Sequence, residues 1–207
     1  YDFAAGLTST HEKAKWGSKR TMFSRYNYIK KSLPFTQSKN WLDIGCGQGN
    51  LQREVLSKNK SLYCTGIELS KKLYKLSKRN KPKNFNIINS DFNKFKFRNK
   101  KYDIITCHGV MAKTNFNLSV LLYKMSKIAK KGCRILLDFQ NYNWNKFSRN
   151  NYRDPRLKWY DPVEIKNIVK KQKIFKIQKF KGYLPMKKKE VPLNNAICVF
   201  LHLKKEE

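Results

Sequence analysis

The chain has 207 residues, 40% of them hydrophobic and 14% aromatic, which predicts a globular protein with a sizeable core and excludes a disordered one. No run of apolar residues approaches the roughly 18 that a membrane span requires, so we expect no membrane insertion. The formal net charge is +32, from 46 Lys and Arg against 14 Asp and Glu.

This positive charge has two explanations. A partner rich in phosphate, such as RNA or an anionic membrane surface, would select for it. An A/T-rich coding sequence would also produce it, because such a sequence enriches Lys, Asn, Ile and Phe together, and all four are abundant here. Arg, which suits bidentate phosphate recognition, is a small minority, and the lysines are spread along the whole chain. We therefore favour the compositional explanation and keep RNA as the alternative partner.

The cysteines form no C-x-x-C pair, and no group of Cys, His and carboxylate residues has metal-ligand spacing. We therefore expect reduced, buried thiols in a cytoplasmic protein without a bound metal. The five cysteines are Cys46, Cys64, Cys107, Cys133 and Cys198.

The first predicted element is a helix. Residues 19–31 carry apolar or aromatic side chains three or four positions apart, and Pro34 follows them. This spacing predicts an amphipathic helix that ends before the proline.

A glycine-rich turn follows the first predicted strand. A short apolar run broken by Asp43 leads into Gly45, Gly47 and Gly49, and a helix is expected to start near the third glycine. Glycines at such a turn allow φ > 0 and let the backbone approach a ligand closely. A P-loop is excluded because Asn50-Leu51, rather than Lys-Ser/Thr, comes next, and the spacing also differs from G-x-G-x-x-G.

The pattern Asp-x-Gly-x-Gly-x-Gly resembles the first motif of the class I S-adenosylmethionine-dependent methyltransferases. The resemblance covers roughly residues 20 to 205. It implies a Rossmann-like α/β fold: a seven-stranded, mostly parallel sheet with helices on both faces and an antiparallel last strand. It also implies S-adenosylmethionine as the cofactor, and methyl transfer in a single domain over residues 1–207. The cofactor contacts that it implies at this turn are Asp43, Gly45, Cys46, Gly47 and Gly49.

The resemblance also suggests a role for residues 1–38, since an N-terminal helix in this family often lies over the cofactor and closes the substrate pocket. We expect a helical lid here, with packing against the sheet edge as the alternative. Arg20 is a candidate partner for the methionine carboxylate of the cofactor. Tyr26 is a candidate substrate contact, and Trp16 and Arg25 are the other residues of interest in this segment.

Two further strands end on acidic residues. Glu68 ends the second predicted strand, where a carboxylate can accept hydrogen bonds from both ribose hydroxyls. The resemblance implies this role for Glu68 and places Leu69 beside it in the cofactor site. After the third strand, it implies that Asp91 accepts from the adenine amino group and that the backbone of Phe92 meets the ring.

His108 lies at the tip of the fourth predicted strand, residues 101–111. It is a candidate to support the cofactor or to deprotonate a substrate hydroxyl or amine, and a purely structural role is the alternative. The sequence departs here from relatives that place His or Glu-His a few residues further on, since it has Ala112-Lys113 there. His11 is the second candidate base.

The last third of the chain predicts a helix over 117–131 that ends at Gly132, a fifth strand over 133–139 that ends at Asp138, and two closing strands over 174–180 and 196–203. Between them, residues 140–156 form a long segment rich in Asn, aromatic residues and Arg. Long loops in compact domains are usually functional. The candidate substrate contacts in this loop are Tyr142, Trp144 and Arg153.

Three functions remain open at this point. A small-molecule acceptor (a sugar, an amine or a lipid precursor) is favoured because no added RNA-binding domain is visible and the loops can build a compact pocket. A tRNA or rRNA methyltransferase is favoured by charge alone, and the Asn/Asp-Pro-Pro-Tyr/Phe motif of many base-amine methyltransferases is missing at Cys107-His108. A non-catalytic, cofactor-binding subunit is the third reading. The sequence does not indicate an oligomeric state.

Overall fold

A computed structural model of the chain describes residues 18–99, 101–145 and 153–206. These residues fall into two compact units, divided between Thr106 and Cys107. The expected lid, residues 1–38, lies partly outside the described residues. His11 and Trp16 lie outside them. The single domain over residues 1–207 stays a prediction.

The first unit is built on a sheet with the strand order β3-β2-β1-β4. The pairs β1–β2 and β2–β3 are parallel, and Thr65 in β2 lies between Leu42 and Asn86. The strands are β1 (Asn40–Ile44), β2 (Tyr63–Glu68), β3 (Phe85–Asn89) and β4 (Tyr102–Cys107), the last residue of which belongs to the second unit.

Among its described residues, this unit has three helices beside the sheet: α1 (Lys19–Ser32), α2 (Asn50–Lys58) and α3 (Lys71–Ser77). The predicted N-terminal helix is confirmed as α1, and Ser18 caps it by accepting a hydrogen bond from the backbone of Thr21. The Ser70 side chain caps α3 by accepting from the backbone of Leu73.

The two faces of this sheet are covered differently. The connections from β1 to β2 and from β2 to β3 contain α2 and α3, and right-handed crossovers place both helices on one face. Strand alternation directs Asp43 to that face, where the amide of Gln52 in α2 donates to its carboxylate. The connection from β3 to β4 contains no helix in its described residues, 90–99 and 101.

The second unit has a sheet with the order β5-β9-β7-β8. The last strand, β9, is antiparallel to both of its neighbours, as predicted, and a short β6 runs parallel to the end of β5. In chain order the elements are α4 (Leu118–Ile128), β5 (Ala129–Asn141), β6 (Trp159–Tyr160), α5 (Pro162–Gln172), β7 (Phe175–Leu184), β8 (Lys189–Val191) and β9 (Cys198–Lys205).

Two details of the prediction are wrong. The described residues form nine strands rather than seven, because the short β6 and β8 carry no run long enough to be recognised. Helix α4 ends at Ile128 rather than at Gly132, which lies inside β5 with φ of +77°. The ammonium group of Lys205 donates to the carbonyls of Ser126 and Ala129, and so satisfies the helix end that the glycine was expected to serve.

Across the described part of the chain, no helix combines the length and the apolar character that a membrane crossing requires.

Candidate cofactor-binding and catalytic sites

The carboxylate of Glu68 organises the carboxyl end of the first sheet. One oxygen accepts from the backbone N–H of Gly47 at 2.8 Å, and the other accepts from the backbone N–H of Ser70, also at 2.8 Å. The side chain is buried. It thus ties the glycine turn to the first turn of α3, and each oxygen keeps acceptor capacity for a hydroxyl group.

The glycine turn leaves open space on one side. Gly45, Gly47 and Gly49 all have positive φ, at 76°, 58° and 79°. A Cβ added at Gly47 would meet nothing within 4 Å, whereas a Cβ at Gly49 would lie 2.7 Å from the ring of Phe85. Gly49 is therefore required by packing, while the space over Gly47 can admit a ligand.

Asp43 lies buried beneath the turn with protein partners on both oxygens. The hydroxyl of Thr106 and the amide of Gln52 donate to its carboxylate, and the indole of Trp41 donates to the same hydroxyl at 2.7 Å. This network holds the turn against α2 and β4. Sequence reasoning missed Gln52 and Thr106, because no local spacing connects them to Asp43.

The thiol of Cys46 is buried within the turn. Burial raises the pKa of this thiol, and the carboxylates of Glu68 and Asp43 raise it further. The neutral thiol is therefore the stable form of the side chain. The backbone N–H of Cys46 donates to the carbonyl of Ile67. Cys46 thus contributes packing and backbone geometry to the turn.

Helix α1 reaches the same turn. The phenol of Tyr26 is buried and hydrogen-bonded to Asn50, and burial, followed by the carboxylates of Asp43 and Glu54, raises its pKa. Arg20, six residues earlier in the helix, is exposed. The structure thus brings Tyr26 into contact with the end of the glycine turn and leaves Arg20 at the surface.

The end of β3 lies beside Glu68. The side chain of Asn89 donates to the carbonyls of Glu68 and Leu69, which joins the two strand ends. Asp91 is partly exposed, and its carboxylate accepts from the backbone of Asn93 at 2.8 Å. Phe92 is buried. Three predicted positions, Leu69, Asp91 and Phe92, therefore follow directly on two adjacent parallel strands.

In the second unit, His108 and Asp138 form a buried pair. Nδ1 of His108 lies 2.8 Å from one carboxylate oxygen of Asp138, and the backbone N–H of Gly109 donates to the other at 2.7 Å. The imidazole also stacks on the ring of Phe200, with 6.2 Å between centroids. A carboxylate on Nδ1 fixes the ring orientation and places the remaining nitrogen, Nε2, as the proton acceptor of a neutral imidazole.

The predicted substrate loop is described at both ends, while residues 146–152 lie outside the described part. The guanidinium of Arg153 lies 4.0 Å from the ring centroid of Tyr142 and donates to its carbonyl at 3.2 Å. The side chain of Tyr142 is 47% exposed, and Trp144 is partly exposed. The structure therefore brings two of the three predicted loop residues together.

No group of three or more His, Cys, Asp or Glu side chains among the described residues is arranged to hold a metal ion.

A carboxylate at the end of the second parallel strand, hydrogen-bonded to a glycine turn after the first, defines a Rossmann-like nucleotide-binding protein. The chain belongs to a methyltransferase-domain family, whose sequence model matches residues 35–207. The resemblance to the class I S-adenosylmethionine-dependent methyltransferases is thereby confirmed.

Known proteins agree with this assignment. The chain is 28% identical over 117 residues to an uncharacterized methyltransferase of Bacillus cereus (strain 03BB102), a match that covers 56% of this chain and 54% of the relative. The chain thus spans about half the length of the curated relatives it matches.

Two solved structures share the fold. Magnesium protoporphyrin IX methyltransferase from Synechocystis PCC 6803, with bound S-adenosylhomocysteine (SAH), has a TM-score of 0.67 at 15% identity, over 97% of this chain and 90% of that one. The plantazolicin methyltransferase BpumL, in complex with a monoazolic desmethylPZN analogue and SAH, has a TM-score of 0.62 at 18% identity, over 91% and 82%. The mixed α/β, Rossmann-like fold predicted from the sequence is therefore confirmed.

Proposed function

We propose that the protein transfers the methyl group of S-adenosylmethionine to an oxygen or nitrogen atom of a small molecule, such as a sugar, an amine or a lipid precursor. The observation that carries the proposal is the Glu68 carboxylate, held by the backbone of Gly47 and Ser70 beneath open space at the glycine turn. A buried, oriented carboxylate with spare acceptor capacity fits a ribose diol.

In this proposal the first unit binds and orients the cofactor. Glu68 accepts from the ribose hydroxyls, Asp91 accepts from the adenine amino group, and the backbone of Phe92 meets the ring. The side-chain-free surface of Gly47 lies against the amino-acid part. The bound sulfonium supplies an activated methyl group, so the protein contributes positioning and exclusion of water.

His108 is the proposed proton acceptor. Asp138 beside Nδ1 orients the imidazole, so that Nε2 is the nitrogen proposed to take one proton from an attacking hydroxyl or amine. Substitution of His108 by Gln keeps the size and a hydrogen-bonding group but removes the base. We expect a loss of about 100-fold or more in turnover, with cofactor affinity nearly unchanged.

Two observations favour a small acceptor. One neighbour in fold is named for magnesium protoporphyrin IX, and the other was crystallised with a monoazolic desmethylPZN analogue. In addition, the exposed ring of Tyr142 and the partly exposed guanidinium of Arg153 form an aromatic and cationic pair that suits a compact polar substrate. The RNA methyltransferase is the second candidate and is favoured by the net charge of +32. The five buried, free thiols support a cytoplasmic location for the protein.

A transfer assay tests the proposal. The full chain is incubated with methyl-labelled S-adenosylmethionine and either a fractionated metabolite extract or purified tRNA and rRNA, with the His108→Gln variant as the matched control. Label in a small-molecule fraction that depends on His108 supports the proposal, whereas label in RNA alone supports the second candidate. Cofactor binding without methyl transfer to any fraction would contradict the proposed enzymatic activity and favour a non-catalytic subunit.

A further inference from the structure

The face of the first unit's sheet that lies opposite α2 and α3 contains an open groove. Two cavities of about 400 and 460 Å³ adjoin there and share Thr65 and Tyr102 in their walls. The first lies at the amino ends of the strands, beside Tyr63, and the second extends toward their carboxyl ends, as far as Ser90. Strand alternation confirms the face, since Thr65 points away from the side that α2 and α3 cover. We name these two cavities together the Tyr63 groove.

The walls of the Tyr63 groove carry only positive charge. No Asp or Glu lines either cavity. Among the acids of the described part of this unit, Glu54 pairs with Lys30 at 2.6 Å, and Asp103, next to the first cavity, accepts from the backbone of Lys39 and Asn40. The five lining cations are Lys83, Lys94, Lys96, Arg98 and Lys101.

The groove also offers flat and amide surfaces between these cations. The ring of Tyr63 is 62% exposed at the start of β2, which is unusual for a large aromatic side chain on a sheet. The exposed amide of Asn86 lies one strand away, and the ring of Phe95 borders the second cavity. Cations interleaved with aromatic rings suit a chain of phosphates that carries bases able to stack.

We propose that the Tyr63 groove binds single-stranded nucleic acid. The cations contact successive phosphates, and Tyr63 stacks on a base, which must be unpaired to present its face. The groove contains none of Gly47, Glu68 or His108, so this binding does not depend on methyl transfer and can be tested separately from it.

The test measures fluorescence anisotropy of a labelled twelve-nucleotide RNA of mixed sequence, titrated with the full chain over a range of salt concentrations. The groove variant reverses three lining cations, and the control variant reverses three exposed cations near α3, on the other face of the same sheet. Both change the net charge equally. The groove variant is Lys83→Glu, Lys96→Glu and Arg98→Glu; the control is Lys71→Glu, Lys75→Glu and Arg79→Glu.

The groove variant should bind RNA at least tenfold more weakly, and its slope of log K against log salt should fall by about 2, because each single-strand phosphate contact contributes roughly 0.7. The control variant should bind nearly as the wild type does. Equal losses in both variants would show that net charge alone attracts RNA, and would overturn the proposal.

A second pair of variants tests stacking. Tyr63→Ala should weaken binding by about 5- to 150-fold, whereas Tyr123→Ala, which removes a 55% exposed ring from α4, should have no effect. Single-stranded DNA of the same sequence should compete with the RNA, and a duplex should compete poorly. If polyglutamate competes as well as RNA and Tyr63→Ala has no effect, the groove recognises acidic polymers and the assignment to nucleic acid fails. Circular dichroism of each variant checks that the fold is retained.

Discussion

Replacing Glu68 by Gln probes the central contact of the cofactor site. The carboxylate accepts two backbone hydrogen bonds at 2.8 Å, from Gly47 and Ser70. An amide has only one oxygen, so one of these N–H groups would face an NH₂ group instead. Loss of one hydrogen bond to a charged acceptor costs about 1.5–3 kcal/mol. Alanine would remove both bonds and cost about 3–6 kcal/mol, a large part of a typical domain's stability.

The same substitution should weaken the binding of the cofactor. The amide offers a poorer acceptor to a ribose hydroxyl, so we expect SAH to bind about 10- to 150-fold more weakly, which corresponds to roughly 1.5–3 kcal/mol. Urea unfolding gives the change in stability, and isothermal titration calorimetry gives the change in affinity.

Glu54→Gln is the matched control. It removes a partly exposed carboxylate that pairs with Lys30 at 2.6 Å, so it should cost no more than about 1 kcal/mol of stability and leave SAH affinity unchanged. The reasoning is refuted if Glu68→Gln unfolds at the wild-type urea concentration and binds SAH with wild-type affinity.

Three further predictions follow from buried or strained positions. Gly47→Ala should cost only about 1–2 kcal/mol of stability but weaken SAH binding, whereas Gly49→Ala should mainly reduce stability because its Cβ would lie 2.7 Å from Phe85; comparison of melting with calorimetry separates the two. Burial lowers the pKa of His202 to about 4, so this side chain binds a proton in the unfolded chain at a pH where it stays neutral in the folded chain. Stability should therefore fall by about 2 kcal/mol between pH 7.5 and pH 5, and His202→Leu should lose that part of the pH dependence in urea titrations. All five cysteines are buried, and burial also raises the pKa of the Cys46 thiol, so the cysteines should react with Ellman's reagent only after unfolding; fast labelling of the native protein would contradict the structure.

The predictions that were confirmed rest on local signals. The glycine turn and Glu68 were predicted from short stretches of sequence: an apolar run, alternating glycines and an acid at a strand end. These three signals depend only on local backbone conformation and strand length. The antiparallel direction of β9 depends on tertiary pairing, and the resemblance to a known family provided it; the position of β9 between β5 and β7 was not predicted.

Contacts between distant positions were not predictable. Asp43 depends on Thr106, 63 residues away, and no periodicity connects the two. The end of α4 was misplaced because Lys205, 76 residues beyond Ala129, satisfies the carbonyls that a C-terminal glycine motif would otherwise serve. The Tyr63 groove was equally hidden, since its lysines are ordinary in so basic a sequence and the strand pairing that brings them to one face connects distant positions.

The central position of β9 has a consequence for how the protein is made. Ribosomal synthesis delivers β5 and β7 first, and each then exposes an unpaired edge until residues 198–205 emerge to join them. The first unit is complete by then and can fold while translation continues. Misfolding or binding by a chaperone should therefore be most frequent while the second unit is still being synthesised, before β9 has emerged.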